Sequence, residues 1–160
     1  MRRVVIESPY AGDTERNVAY ALLAMSDCMR RNEAPLATHV LYTQFLDDRV
    51  AEQRALGMTA GFAWGDCGEL RAVYGDLGIS GGMAAGIARA HATGQLVEER
   101  RLFVRCCDLL WVADTDAAAD FLRAHGAEHR RVGAGAPLRG ACRQCREKLP
   151  PLPAPKRIAP

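Results

Sequence analysis

The sequence predicts an open, doubly wound α/β fold built on a parallel sheet, from three observations. Short apolar runs alternate with stretches of helical periodicity over residues 1–100. Several of these runs end in a cluster of Gly, Ser, Asp or Pro that opens the next helix. The chain is 160 residues long and 49% hydrophobic, which suits one domain with a real core.

The elements follow in order. Arg3 to Glu7 reads as a buried first strand, and Ser8-Pro-Tyr-Ala-Gly-Asp13 as a turn-rich loop. Asp13 or Thr14 can cap a helix running to about Arg31, with Val18, Ala21, Leu22, Met25 and Met29 on its apolar face. Pro35 then separates that helix from a second strand, Leu36 to Leu41, and Tyr42 to Asp48 is the loop after it. A helix from about Arg49 to Trp64 carries Gly57 and Gly61 on one face, which implies close approach of another backbone or a ligand. Leu70 to Tyr74 is the third strand. Met83, Ile87 and Ala90 mark the central helix that follows, and Gly94 stops it. Gln95 to Glu98 reads as a fourth strand, Leu109 to Val112 as a fifth, Asp114 to His125 as a helix, and His129 to Val132 as a last strand. The Pro-rich segment after Lys148 reads as an extended tail. The expected organisation is one Rossmann- or flavodoxin-like domain over 1–100, an irregular extension of it over 101–147, and the tail over 148–160.

Composition excludes several classes. A formal net charge of +2 gives no concentrated basic face for DNA. No stretch reaches the roughly 20 apolar residues that span a bilayer. The first apolar run ends at Glu7 and is a strand rather than a signal peptide. Six cysteines in a chain this apolar suggest reduced thiols in a cytoplasm.

The central unit is Asp76-Leu-Gly-Ile-Ser-Gly-Gly-Met83, a glycine loop between a strand and a helix. It lacks the Gly-Lys-Ser/Thr ending of a P-loop and the G-x-G-x-x-G spacing. A helix N-terminus nonetheless offers free backbone N–H groups and a positive dipole end to an anion. The alternative is a turn that only connects. Loops at the carboxyl ends of parallel strands share one sheet edge, so Ser8 to Asp13, Thr38 to Asp48 and Asp76 to Met83 should converge.

Three segments, Glu7-Ser-Pro-Tyr-Ala-Gly-Asp13, Thr38-His-Val40 and Asp76-Leu-Gly-Ile-Ser-Gly-Gly-Met-Ala-Ala-Gly86, together resemble the nucleoside 2-deoxyribosyltransferase-like superfamily. With Leu41-Tyr-Thr-Gln, the chain looks most like an uncharacterised bacterial and phage branch of it. The resemblance covers roughly residues 3 to 98. It implies a nucleotide or nucleoside ligand, cleavage of the bond between base and deoxyribose, and homo-oligomers that complete their sites across a subunit boundary. It also implies a nucleophilic glutamate on the central helix and an assisting aspartate on the preceding one. Here the chain departs from the pattern, because Gly86 stands at the glutamate position and the aspartate position falls close to Gly57.

The candidates for chemistry are therefore Asp76, Asp47 and Asp48. Asp76 could hold a sugar hydroxyl or move a proton, or only cap its loop; helix capping accounts equally for the other two. Candidates for binding are Ser8, Tyr10, Gly12, Asp13, His39, Arg54, Gly78, Ser80, Gly81, Gly82 and Met83. Tyr10 could stack on a base or simply pack. His39, within the expected second strand, could bond a sugar or be a buried structural histidine. Arg54 could meet a phosphate or stay solvated. Cys142-Arg-Gln-Cys145 is half of a zinc site at most; no cofactor is expected, with zinc as the alternative. Three functions follow: an N-glycosidic hydrolase or transferase, a binding or sensing module that has lost the chemistry, and a zinc-stapled interaction protein.

Overall fold

The computed structural model describes residues 1–106, 109–113, 120–121, 123–124 and 129–132. The chain divides into two compact units, Met1–Arg100 and Arg101–Pro160. In the first, four strands form a parallel sheet in the order β2-β1-β3-β4: β1 (Arg2–Glu7), β2 (Glu33–Leu36), β3 (Leu70–Tyr74) and β4 (Leu96–Arg100). Helices α1 (Thr14–Arg30), α2 (Thr38–Tyr42), α3 (Ala51–Gly65) and α4 (Gly81–Ala92) connect them. The chain steps from β1 outward to β2, then returns across β1 to β3. The strand order therefore reverses between β1 and β3, where open α/β sheets place their ligands.

The central strands are buried on both faces, with Val4, Val5, Ile6, Leu70, Ala72, Val73 and Tyr74 in the core, as parallel strands covered by helices require. Register sorts their side chains. Val5 pairs with Arg71 and Glu7 with Val73, so Glu7 and Arg71 share one face, and they pack against α4 at Gly86. Tyr74 points to the other face, where its hydroxyl donates to Asp27 Oδ2 of α1 at 2.8 Å. Helices on both faces make the sheet doubly wound.

Two expectations are corrected. The second strand is not Leu36 to Leu41: β2 ends at Leu36, and the amides of Val40 and Leu41 bond back to the carbonyl of Ala37 to open α2. β2 is an outer strand, which is where Pro35 is tolerated within a sheet. Thr38, His39 and Val40 therefore belong to a short helix rather than a strand. The buried face of α1 is also rotated. Asn17, Tyr20, Ala21, Leu23, Ala24 and Cys28 face inward, while Leu22 is 54% and Met29 43% exposed. Tyr20 and Cys28 carry the apolar stripe, and Asn17 is buried to hold a loop.

The second unit contains β5 (Phe103–Cys106), antiparallel to β6 (Leu109–Ala113), which runs parallel to β7 (His129–Val132). The strands expected over 109–112 and 129–132 thus pair in a sheet of their own, together with β5, which was not expected. Phe103 and Phe121 stack with ring centroids 5.6 Å apart. The expected helix from Asp114 to His125 and the Pro-rich tail fall largely or wholly outside the described residues. Among the described residues no helix is long and apolar enough to cross a membrane.

Behind the sheet, Arg100 is buried and bonds both carboxylate oxygens of Glu33, at 2.6 and 2.8 Å. It also reaches Cys28 Sγ at 3.3 Å and Tyr74 Oη at 3.4 Å. Burial pushes the Cys28 thiol up to about 11, so it stays protonated. Removing one member of a buried ion pair strands the other charge. Arg100→Ala should therefore lower stability by about 3–5 kcal/mol in urea unfolding, and Glu33→Leu/Arg100→Met should recover more than half of that loss.

Candidate functional site

Three loops meet in one cleft above the β1/β3 reversal. Glu7, Ser8, Tyr10 and Ala11 line it from the first. Thr38, His39, Tyr42 and Asp48 line it from the second, and Ser80 to Met83 from the third. Gln53, Arg54 and Phe62 of α3 close one side, and Arg71 contributes to the wall. The cavity measures about 220 Å³, the scale of a small molecule rather than a polymer.

Each loop is held by its own hydrogen bonds. In the first, Asn17 Nδ2 donates to the carbonyls of Tyr10 (3.0 Å) and Ala11 (2.9 Å), and Asp13 caps α1 by accepting from the Arg16 amide at 3.2 Å. Gly12 takes φ +93° there, a conformation that disfavours a side chain. In the second, Thr43 Oγ1 donates to the carbonyl of His39 at 2.7 Å. In the third, Ser80 Oγ caps α4 by accepting from the Met83 amide at 3.3 Å, and Met83 is buried beneath the cleft. Gly57 and Gly61 face close side chains rather than another backbone: a Cβ on Gly61 would lie 3.1 Å from Thr38 Oγ1, and one on Gly57 3.3 Å from Leu46 Cδ1. The neighbours are side chains of α2 and of the loop after it.

Several expected site residues come together: Ser8, Tyr10, His39, Asp48, Arg54, Ser80, Gly81, Gly82 and Met83. Ser8 Oγ and His39 Nε2 lie 2.8 Å apart, and both side chains are largely enclosed. Burial pushes the His39 imidazole down to about 4, so it is neutral near pH 7 and serves as a hydrogen-bonding group. Asp48 pairs with Arg54, and an added Cβ on Gly82 would lie 3.8 Å from Arg54 Nη2. The others stand apart. Asp76 lies outside the cleft lining and accepts from the Tyr20 hydroxyl of α1 at 2.5 Å. Asp47 faces a shallower surface beside the cleft; its bonds to Arg49, at 2.9 Å, hold its carboxyl down to about 2. Gly12, Asp13 and Gly78 shape the loops without lining the cleft. Cys142 and Cys145, the candidate half of a zinc site, lie outside the described residues.

Two cleft residues were missed as candidates. Glu7 closes β1 with its side chain 13% exposed, and it pairs with Arg71 of β3, which is 2% exposed. A Cβ placed on Gly86 would fall 2.6 Å from Glu7 Cδ and 3.0 Å from Arg71 Nη1, so the absence of a side chain at Gly86 is what admits the Glu7 carboxyl. Burial raises the Glu7 carboxyl above its ordinary value, against the lowering by Arg71. The sequence did carry a signal: a charged residue inside a central parallel strand must find a buried partner.

A family model matches residues 2–100, a domain of unknown function designated DUF7768. The chain belongs to the DUF7768 family. No curated protein sequence matches this DUF7768 chain. Among solved structures it is similar to a 2-deoxyribosyltransferase from the psychrotolerant bacterium Bacillus psychrosaccharolyticus, described as a biocatalyst for nucleoside synthesis. The TM-score is 0.53 at 9% identity, over 95% of this chain and 98% of that one. At that identity the likeness establishes the fold, and it agrees with the parallel α/β architecture read from the sequence.

His39 gives the site a pH signature. Its pKa is lower folded than unfolded, so the unfolded chain binds the extra proton between roughly pH 6.5 and 4. Its contribution is complete above the unfolded value and is lost as pH falls through that window. The stability advantage of wild type over His39→Gln, measured by urea unfolding, should shrink by up to about 3 kcal/mol between about pH 7 and pH 4.

Proposed function

We propose that this DUF7768 chain is a nucleoside- or nucleotide-directed enzyme of the N-glycosidic type, a hydrolase or transferase of deoxyribosyl groups. The observation that carries the reading is the convergence of the three post-strand loops on one small-molecule cleft that holds a buried carboxyl. Cleaving a glycosidic nitrogen bond builds positive charge at the anomeric carbon, and a carboxylate is the side chain that stabilises such a centre. The fold shared with a 2-deoxyribosyltransferase supports the same class.

In this reading the sugar hydroxyls meet Ser8 and the neutral His39, and the base lies against Tyr10, Tyr42 or Phe62. A 5′-phosphate would meet the first-turn amides of α4 and draw Arg54 from Asp48. A second reading, a binding or sensing module without turnover, is favoured by the Gly86 departure and by the Arg71 pairing of the cleft carboxyl.

Incubation with 2′-deoxynucleosides and their 5′-monophosphates, followed by chromatography of free base, separates the two. Release of base is the expected outcome; tight binding with no release selects the module. Arg54→Ala should raise KM for monophosphates about tenfold while leaving nucleosides unchanged, the loss of one charged contact. An equal effect on both would remove Arg54 from phosphate recognition.

A further inference from the structure

We propose that Glu7 is the catalytic nucleophile of this cleft, a carboxylate carried by the end of a strand and seated where Gly86 leaves room on the helix. The inference rests on the N-glycosidic reading above and adds the residue that forms the covalent bond. Two carboxyl groups line the cleft, Glu7 and Asp48. Asp48 belongs to the outer loop and is paired with Arg54 of α3. Glu7 ends β1 at the strand reversal, lines the cleft and sits against Gly86 of α4.

Its surroundings hold it in place. Arg71 Nη1 bonds Glu7 Oε1, and Arg71 Nε donates to Gln95 Oε1 at 3.0 Å. Gln95 Nε2 in turn donates to the carbonyls of Gly65 (2.9 Å) and Gly68 (2.7 Å). Three glycines make the space. A Cβ on Gly86 would strike Glu7, one on Gly65 would lie 2.6 Å from Arg71 Nη2, and one on Gly68 would lie 2.9 Å from Gln95 Nε2. Glycine within a helix is unfavourable, and an apolar pair would hold β1 to β3 at least as well as a buried ion pair. A carboxylate fixed by a chain of supports, open to a cleft on one side, is the arrangement that chemistry requires.

The step balances as a double displacement. A Glu7 carboxylate oxygen bonds to the anomeric carbon as the carbon–nitrogen bond breaks; the electron pair leaves with the base, which takes a proton from water. The hydroxide so formed attacks the anomeric carbon of the glycosyl ester. The carbon–oxygen bond to Glu7 breaks and the carboxylate is restored. A second base in place of water completes a transfer, its N–H proton regenerating the water.

The test uses the full chain with whichever deoxynucleoside or monophosphate releases base. Turnover is quenched with acid, and the digested protein is searched by mass spectrometry for a deoxyribosyl ester. The expected result is an adduct on the peptide containing Glu7, and at least an about thousandfold loss of kcat in Glu7→Gln. A folded Glu7→Gln within about tenfold of wild type, or an adduct on another residue, overturns the assignment and leaves the N-glycosidic reading standing. Absence of base release by wild type overturns both. Should Glu7→Gln fail to fold, wild type in methanol decides the matter. A methyl deoxyriboside of retained configuration with the adduct on Glu7 supports the assignment, and inverted product overturns it.

Discussion

A salt bridge between two neighbouring strands organises this molecule. Glu7 and Arg71 meet on the α4 face of the sheet, at the one place where strand order reverses. Taking both charges from water is costly, and the surrounding structure answers that cost with close geometry and with a hydrogen-bond chain through Gln95. The glycines at 65 and 86 follow from the same demand, because each leaves out a side chain that would collide with one of these groups, and Gly68 makes room for both Val5 and Gln95. A short stretch of polar atoms thereby dictates how α3, α4 and β4 approach the two central strands.

The cleft above it is electrically balanced. Its charged side chains come as pairs, Glu7 with Arg71 and Asp48 with Arg54, and its histidine is neutral. Attraction over long distances is therefore weak, and selection depends on hydrogen bonds and shape at contact. The loops are suited to this. Asn17, Thr43 and Ser80 each tie a loop to its own helix, so the walls stand before anything enters.

Much of this was legible in the sequence, because alternation and turn chemistry are local. The strand ending at Tyr74, the Gly94 stop and the Asp13 cap all rest on neighbours within a few residues. What failed depended on distant partners. The segment around Val40 has strand-like residues, yet the ladder to β1 ends at Leu36 and the backbone turns into a helix instead. The stripe on α1 was misplaced because Asn17 is buried for its bonds to a loop, not for apolarity. In the sequence Arg71 sits inside an apolar run and Glu7 stands at the end of a strand, with nothing local to pair them. Their importance appears only when the register brings 5 beside 71 and α4 over both.

The fit between Glu7 and Gly86 has an evolutionary reading. The two positions compete for one volume, so a relative with a bulkier residue on the helix must shorten or lose the acid on the strand. Across the family these sites should change together, and each lineage should keep its acidic group on the strand or on the helix but not on both.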